Sequence, residues 1–284
     1  MMILLENDIL KVTINPMGAE LRSVYHKVKE REYMWRGDAK YWGRVSPVLF
    51  PIVGRVKDGF YVYDGQKYEL SQHGFLRDQQ FEVLSNDASS VSFQYESKGS
   101  KLAVYPFEHA VVITYSLIAD VVSITWQVFN KDTKTMYYGI GGHPAFALDA
   151  DGDYEFRFDA QKDVSELTLT KGHVDQAIPM ETLNPVAVTF DAFKNDAIIY
   201  TNVDAVELVN KRNGDTVRAD FPGFNFVGLW TSVVDDALSP FICIEPWIGI
   251  TDRIDASGKL EEKYAIEELE ANTDKSYSYS LRFI

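Results

Sequence analysis

The sequence contains little that could cross-link the chain or anchor it in a membrane. Its only cysteine is Cys243, so no disulfide can form within the chain and no oxidising compartment is needed. No run approaches the ~18 apolar residues that a membrane-spanning helix requires. The opening stretch carries Glu6 and Asp8 and has no basic region, which is not typical of a secretory signal peptide. These absences predict a cytoplasmic protein without a membrane anchor.

Basic residues are also scarce. The chain has 28 Lys and Arg against 42 Asp and Glu, which gives a net charge of −14 at pH 7. Such a chain repels nucleic acid and anionic membranes at long range, so neither is predicted as a partner. A local basic pocket for a small anion is still compatible with this charge.

Motifs that bind nucleotides or metals are missing as well. There is no Walker A loop, no Gly-x-Gly-x-x-Gly and no Gly-x-Ser-x-Gly. The sequence also lacks His-Glu-x-x-His, Cys-x-x-Cys and His-x-His, and it has only 5 histidines. We therefore predict no metal site.

What the sequence does contain is alternation of apolar and polar residues with a period of two. Residues 276–283 place Tyr, Leu and Phe on one face and Ser and Arg on the other, which predicts a half-buried strand. The β-branched and aromatic runs 109–117 and 121–129 predict a long hairpin. Shorter hairpins are predicted for 10–14 with 20–25, 61–63 with 67–70, 81–84 with 91–95, and 206–209 with 216–219.

Helical signals are few and do not alternate with the strands. Residues 193–197 could form one turn, and 259–270 could form a short helix or a polar loop. A doubly wound parallel sheet is therefore not expected. We predict one large antiparallel β-sandwich that forms a single domain over residues 1–284.

Three apolar segments end in a titratable residue followed by Gly or Pro: His73, His143 and Glu245. This pattern predicts a turn of the backbone after each one. A lone histidine at a strand end is more often a hydrogen-bonded structural residue, and a lone glutamate can cap a turn or pair with an arginine. Three such cases favour function, because burying a titratable group costs free energy. That the three side chains converge is a hypothesis at this point.

Two arginines and two tryptophans complete the set of candidates. Arg55 follows an apolar segment and could be a buried ion-pair partner or a ligand clamp. Arg77 lies four residues after His73. Trp230 and Trp247 are more often core residues than platforms for a sugar ring, although a sugar-binding protein would use them in that way.

These motifs, in this order, resemble the aldose 1-epimerase (galactose mutarotase-like) family, and most closely its LacX-type branch. The resemblance covers nearly the whole chain. It rests on Gly54-Arg55, a Tyr-x-x-x-Gly hairpin, His73-Gly74-Phe75, Gly142-His143-Pro144-Ala145-Phe146 and Glu245-Pro246-Trp247.

The resemblance implies a large antiparallel β-sandwich that interconverts the α and β anomers of free hexoses such as galactose and glucose, with no cofactor. It implies that Glu245 is the general base, His143 the general acid and His73 the second active-site histidine. It also implies that Arg55 binds the sugar.

The family also uses an aspartate to hold sugar hydroxyls. Asp196 is the better match to it and Asp191 is the rival. Trp230 is a candidate for stacking on the sugar.

The substrate branch stays open because of Arg77. The run His-Gly-Phe-x-Arg is similar to hexose-6-phosphate 1-epimerases, in which the arginine helps to hold the phosphate. The competing interpretation, slightly favoured, is that Arg77 pairs with Asp78 or Glu82 on the surface.

Two further classes of function compete with an epimerase. A carbohydrate-binding sandwich without turnover would not need both His143 and Glu245. A glycoside hydrolase would normally use two carboxylates, and Glu245 has no equally convincing acidic partner at a strand end. The sequence predicts neither the particular sugar nor the oligomeric state.

Overall fold

Antiparallel strands dominate the computed structural model, which describes residues 1–97, 99–160 and 163–284. In chain order the strands are β1 (Ile3–Glu6), β2 (Leu10–Asn15), β3 (Glu20–His26), β4 (Arg31–Glu32), β5 (Val48–Leu49), β6 (Phe60–Tyr63), β7 (Gln66–Glu69), β8 (Glu82–Asn86), β9 (Ser90–Glu96), β10 (His109–Ile118), β11 (Val121–Asn130), β12 (Met136–Tyr138), β13 (Ile140–Gly142), β14 (Ala145–Ala147), β15 (Tyr154–Ala160), β16 (Ser165–Thr170), β17 (His173–Pro179), β18 (Val186–Ala187), β19 (Ile198–Thr201), β20 (Val203–Asn210), β21 (Thr216–Asp220), β22 (Phe226–Trp230), β23 (Val233–Val234), β24 (Ala237–Leu238), β25 (Phe241–Ile248), β26 (Glu267–Leu269) and β27 (Asp274–Phe283).

Helical structure in the described residues is limited to short turns. One turn of α-helix, α1, spans Phe190–Phe193, and 3-10 helices span Lys57–Gly59, Leu76–Asp78, Gly99–Ala103 and Leu260–Glu262. None of these described helices is long and apolar enough to cross a membrane.

Two large sheets carry the fold. The first has nine strands in the order β18-β15-β20-β21-β27-β11-β10-β9-β8, and the second has eight, in the order β17-β16-β19-β22-β25-β13-β5 with β14 also paired to β25. A four-stranded sheet, β1-β2-β3-β4, lies beside them. The predicted large antiparallel β-sandwich is confirmed.

The main core takes one face from each large sheet. Along β11, every second side chain is buried, with Trp126 at its centre, because the strand turns one face inward. Along β25, Ile242 and Ile244 join the same hydrophobic cluster. The opposite face of the second sheet therefore lies outside the main core.

The predicted hairpins are confirmed, since β2–β3, β6–β7, β8–β9, β10–β11 and β20–β21 are each paired antiparallel. The helical turn is displaced from the expected 193–197 to Phe190–Phe193. The reason is local: the Thr189 side chain accepts a hydrogen bond from the Ala192 N–H and so starts the helix earlier. Residues 259–270 contain a 3-10 turn and the short strand β26.

His109, at the start of β10, is fully buried among aromatic rings, including Phe50 and Tyr105. One ring nitrogen, Nδ1, lies 2.8 Å from the Phe107 carbonyl oxygen. Burial lowers the pKa of His109 to about 4. In the unfolded chain this histidine has a pKa near ~6.5. Between the two pKa values, the unfolded chain therefore binds a proton at His109 and the folded chain does not.

We expect this histidine to make stability fall as the pH falls from about 6.5 towards 4, by up to ~1.4 kcal/mol per pH unit. A His109→Gln variant cannot take up that proton. It should be less stable than the parent at pH 7, but the gap should narrow by roughly 2 kcal/mol at pH 5. Urea unfolding at both pH values measures the gap, and a gap independent of pH would contradict the assignment.

Candidate active site

Strand β25 supplies the floor of the candidate site. Its residues alternate between the main core and the opposite face of the sheet. The sequence predicted a turn after Glu245, and this was wrong, because Pro246 continues the strand opposite Val227 of β22. The side chains on the face away from the main core belong to Phe241, Cys243, Glu245 and Trp247.

His143 lies opposite Glu245 because of the strand register. β25 pairs with β13 at Gly141↔Trp247 and with β14 at Ala145↔Cys243. Both pairs belong to one antiparallel register, so counting inward from either places position 143 across from position 245. Pro144 and Pro246 have no N–H to donate, so the ladder between the two strands is interrupted there. Residues directly opposite each other share a face of the sheet.

The two side chains meet below the surface. His143 Nε2 lies 3.1 Å from Glu245 Oε2, and only 7% and 2% of the two residues is exposed. Among the described residues, Glu245 Oε2 and His143 Nδ1 have no hydrogen-bond partner. Trp42 stacks on the imidazole with ring centroids 4.6 Å apart, and Trp230 meets it edge-on at 5.5 Å. The rings hold the imidazole beside the carboxylate.

Trp247 occupies the floor next to this pair, above two glycines. A Cβ at Gly228 would lie 2.3 Å from the indole, and a Cβ at Gly141 would lie 2.6 Å from it. Gly228 pairs with Glu245 in the sheet. These strand glycines therefore leave the space in which the indole lies against the sheet.

His73 is fixed by backbone contacts with Gly54. The Gly54 N–H donates to His73 Nδ1 at 3.1 Å, and the His73 N–H donates to the Gly54 carbonyl at 2.7 Å. A neutral His73 ring therefore carries its hydrogen on Nε2. The rings of His73 and His143 lie 5.8 Å apart between centroids, edge to face.

The loop after His73 depends on Gly74. His73 and Gly74 both have a φ of 65°, in the left-handed region that favours glycine. A Cβ at Gly74 would lie 2.2 Å from the Phe50 carbonyl oxygen. That same oxygen accepts hydrogen bonds from the Phe75 and Leu76 N–H groups, so the loop cannot move away without losing them.

All seven candidate residues line one cavity of about 400 Å³. They are Arg55, His73, Arg77, His143, Asp196, Trp230 and Glu245. The structure thus brings these seven residues together. It also separates the two aspartates, since Asp191 lies at the surface and pairs with Lys194 at 2.9 Å.

The predicted pairing of Arg77 with Asp78 is present only as a long contact, and the predicted surface position of Arg77 was wrong. Its side chain is only 17% exposed and approaches Asp78 no closer than 4.0 Å, while Arg44 pairs with Asp78 at 2.9 Å. Arg77 Nη2 instead donates to the Gln72 carbonyl at 2.9 Å. The Arg77 guanidinium therefore belongs to the cavity wall.

Comparison with known proteins now decides the family. The aldose 1-epimerase family model matches residues 1–262. This chain belongs to the aldose 1-epimerase family.

Relatives of this aldose 1-epimerase family member match it over nearly their full length. Protein LacX (plasmid) of Lactococcus lactis subsp. lactis is 27% identical over 305 residues, which covers 100% of both chains. A galactose mutarotase related enzyme from Lactobacillus acidophilus has a TM-score of 0.94 and 34% identity, covering 100% of this chain and 97% of that one. A galactose mutarotase-like protein from Lactobacillus casei ATCC 334 has a TM-score of 0.92 and 29% identity, covering 100% of each. The predicted family, its LacX-type branch and the mutarotase-like sandwich are confirmed.

Burial shapes the electrostatics of this family member's cavity. It raises the pKa of Glu245 well above its usual value, with a further contribution from Asp196. It lowers the pKa of His143 well below the usual value, and the nearby His73 adds to that effect. Burial, with Arg77 and Arg55 next in effect, lowers the pKa of His73 to about 3. The roles that the resemblance implies, a general base and a general acid, call for an ionised Glu245 beside a protonated His143, whereas burial favours an uncharged pair.

Among the described residues, one group of three has donor atoms close enough together to be considered as a metal site. The donor atoms of His143, Cys243 and Glu245 lie within 4.8 Å of one another. Burial raises the pKa of the Cys243 thiol well above its usual value, so the sulfur is held as a thiol rather than as the thiolate that metals prefer. The cluster also contains both His143 and Glu245, the pair that meets below the surface.

Several cavity residues were not assigned a role from the sequence. Gln72 accepts a hydrogen bond from Arg55 Nε at 3.1 Å, and Thr251 Oγ1 accepts one from the Arg55 N–H at 3.1 Å. Nothing in the local sequence distinguishes these residues from ordinary surface residues, because their place in the site comes from contacts between distant segments.

Two glycine variants test the close approach at Gly74. Gly65 also has a positive φ, 72°, but a Cβ there meets nothing within 4 Å. We expect Gly65→Ala to lower the free energy of unfolding by ~1–2 kcal/mol through backbone strain alone. Gly74→Ala should cost clearly more, by at least a further ~1 kcal/mol, since the Phe50 carbonyl must also shift. Chemical denaturation measures both, and equal losses would rule out the contact as the cause.

Proposed function

We propose that this protein is an aldose 1-epimerase that interconverts the α and β anomers of a free hexose such as galactose or glucose. The observation that supports this best is the 3.1 Å approach of His143 Nε2 to Glu245 Oε2 at the buried end of a cavity. Mutarotation needs one group that accepts a proton and one that donates a proton, and here both reach the same small volume.

The chemistry follows from that pair. Glu245 removes the proton from the anomeric O1, the C1–O1 bond gains double-bond character, and the bond from C1 to the ring oxygen breaks. His143 gives a proton to the ring oxygen, which leaves an open-chain aldehyde. Rotation about C1–C2 presents the other face of the carbonyl, and the same groups then act in reverse. No atom is gained or lost, so the steps require no co-reactant.

The pair holds one proton in either charge state. An ionised Glu245 with a protonated His143 and an uncharged pair contain the same number of protons. The two atoms lie 3.1 Å apart without the alignment of a hydrogen bond, so a rotation of either side chain into alignment would let one proton transfer convert one state into the other. Burial favours the uncharged pair. Sugar hydroxyls that donate to the carboxylate would favour the ion pair, which is the form that starts ring opening.

The other cavity residues suit a sugar. The guanidinium of Arg55 and the carboxylate of Asp196 present several donors and acceptors for hydroxyl groups. His73 carries its ring hydrogen on Nε2, because its Nδ1 accepts from the backbone, and this Nε2 lies 3.2 Å from the Gln72 amide nitrogen at the cavity wall. Trp230 offers an apolar ring face at the wall. The proposal also includes a cytoplasmic location and a single domain over residues 1–284.

A second candidate substrate is a hexose 6-phosphate. The observation that favours it is the largely buried Arg77 in the cavity wall. Burial and, after it, the charges of Arg77, Arg55 and Arg44 lower the pKa of His73, which places these guanidinium groups near the imidazole. Guanidinium groups bind phosphate strongly and with defined geometry.

Substitution of Glu245 tests the reaction. Glu245→Gln keeps the shape but removes the base, so we expect acceleration of α-galactose or α-glucose mutarotation to fall by ~10²–10⁴-fold. Because burial opposes a charge on Glu245, the Gln variant should be at least as stable as the parent. His143→Asn should give a similar loss of activity. Polarimetry and thermal unfolding measure these effects, and activity within tenfold of the parent in either variant would refute the mechanism.

The two aspartates provide a matched pair for sugar binding. Asp196→Asn should raise KM by about tenfold or more, since one charge-assisted hydrogen bond to a hydroxyl is worth ~1.5–3 kcal/mol. Asp191→Asn removes a carboxylate from the same segment but outside the cavity, and should leave KM unchanged. Equal effects of the two substitutions on KM would argue against the role of Asp196.

Arg77→Ala separates the two substrates. For a phosphosugar enzyme, kcat/KM for glucose 6-phosphate should fall at least ~100-fold while that for glucose changes little. For a free-hexose enzyme, both values should change by a similar small factor. Arg157→Ala, which removes an arginine exposed on β15, is the control.

A further inference from the structure

A small polar cavity lies at one edge of the nine-stranded sheet, outside the candidate active site. It is bordered by the end strand β8, by its neighbour β9 and by the 3-10 helix Gly99–Ala103. Its volume is about 210 Å³, below the ~300–1,000 Å³ of most sites for drug-sized ligands, so it suits a small molecule. None of its lining residues lines the active-site cavity. We call this space the edge cavity.

Three glutamine amides contribute to the lining of the edge cavity: Gln79, Gln80 and Gln94. Gln79 Nε2 donates to the Phe75 carbonyl at 3.1 Å, and Gln80 Nε2 donates to the Phe81 carbonyl at 2.9 Å. The side-chain amide of Gln94 forms no hydrogen bond with another residue that the structure describes. Its donor and its acceptor are therefore both available to a polar ligand.

The edge cavity also carries one negative and one positive charge that are not paired. Of its two carboxylates, that of Glu96 pairs with Lys131. Glu82 and the Lys101 ammonium line the same cavity, yet neither forms an ion pair with the other or with any further residue in the described part of the chain. Lys101 Nζ instead lies over the Phe75 ring, 5.2 Å from its centroid.

Two opposite charges in one small cavity favour a ligand that carries both signs. A simple anion would be attracted by Lys101 but repelled by Glu82, and a simple cation would meet the reverse. A neutral sugar can hydrogen-bond to both groups but gains no ionic attraction from either. An α-amino acid carries its ammonium and its carboxylate on one carbon, so it can meet Glu82 with the first and Lys101 with the second.

We propose that the edge cavity is a second ligand site of this protein and that it binds a free α-amino acid with a side-chain amide, such as glutamine. The amide is favoured by Gln94, because two amide groups can pair through two hydrogen bonds, each donating one and accepting one. The inference goes beyond the proposed sugar chemistry and does not depend on it.

The test is calorimetric titration of the full chain with L-glutamine and with two smaller analogues. Glutaramate lacks the ammonium of glutamine, and 4-aminobutanamide lacks its carboxylate. The parent should bind glutamine at least ~tenfold more tightly than either analogue, as expected for a lost hydrogen bond between charged groups. Glu82→Gln should remove the preference over glutaramate and keep the preference over 4-aminobutanamide. Lys101→Met should do the opposite. Glu268→Gln, which changes an exposed carboxylate on β26, is the matched control and should keep both preferences.

This pattern identifies the two charges as the partners of the amino acid, because a general loss of structure would weaken all three ligands equally. Absence of glutamine binding in the parent, or preferences that survive both substitutions, would overturn the proposal. Tighter binding of glucose than of glutamine, lost in Glu82→Gln, would also overturn it, because the edge cavity would then be a sugar site. Both variants should accelerate glucose mutarotation as much as the parent does, since neither residue lines the active-site cavity.

Discussion

The site depends on one cross-strand relation, the placement of His143 opposite Glu245 on the face of the sheet that lies away from the main core. An antiparallel register fixes which side chains face each other, and a slip of one residue would send both to the other face. Here the main core prevents such a slip, because Ile242 and Ile244 of the same strand are fully buried in it. The packing of an apolar core thus sets the geometry of a polar pair on the opposite side of the same strand.

Burial gives this pair its chemical character and also opposes its charges. A carboxyl group and an imidazole that are both withdrawn from water resist ionisation, which raises the pKa of one and lowers that of the other. Moving the proton from Glu245 to His143 therefore costs free energy, because it creates two charges in a buried site. The aromatic rings of Trp42 and Trp230 exclude water and restrict the imidazole at the same time. Burying Glu245 and His143 lowers the stability of the site, and the apolar packing of the surrounding sandwich offsets that cost.

Most of the fold could be predicted from the sequence, because alternation is a local property and hairpins join neighbouring segments. The site was predictable only in part. His73, His143 and Glu245 stand out as titratable residues at the ends of apolar runs, and the order of motifs assigns them to one family. The turn expected after Glu245 was wrong because a proline usually interrupts a strand, whereas here it lies where the neighbouring ladder is already broken.

The environment of Arg77 could not be predicted, because it depends on which distant residue pairs with the neighbouring carboxylate. Asp78 follows Arg77 directly in sequence, yet Arg44, which is 33 residues earlier than Arg77, pairs with it at 2.9 Å. The same is true of the segment that carries Arg55. Asp252 Oδ2 accepts from the Lys57 N–H at 2.7 Å, while Oδ1 accepts from the buried Lys263 Nζ at 2.9 Å.

That buried ion pair connects the wall of the cavity to its floor. Asp252 lies just beyond the end of β25, and its N–H donates to the Arg55 carbonyl at 2.8 Å. A buried pair of this kind adds little net stability, but removing one partner leaves the other charge unpaired. Its value here is positional. The strand that carries Glu245 continues into the segment that holds the backbone of Arg55. The group proposed to open the ring and the group proposed to bind the sugar are thus positioned by one element. A shift of β25 would move both together and leave their separation unchanged.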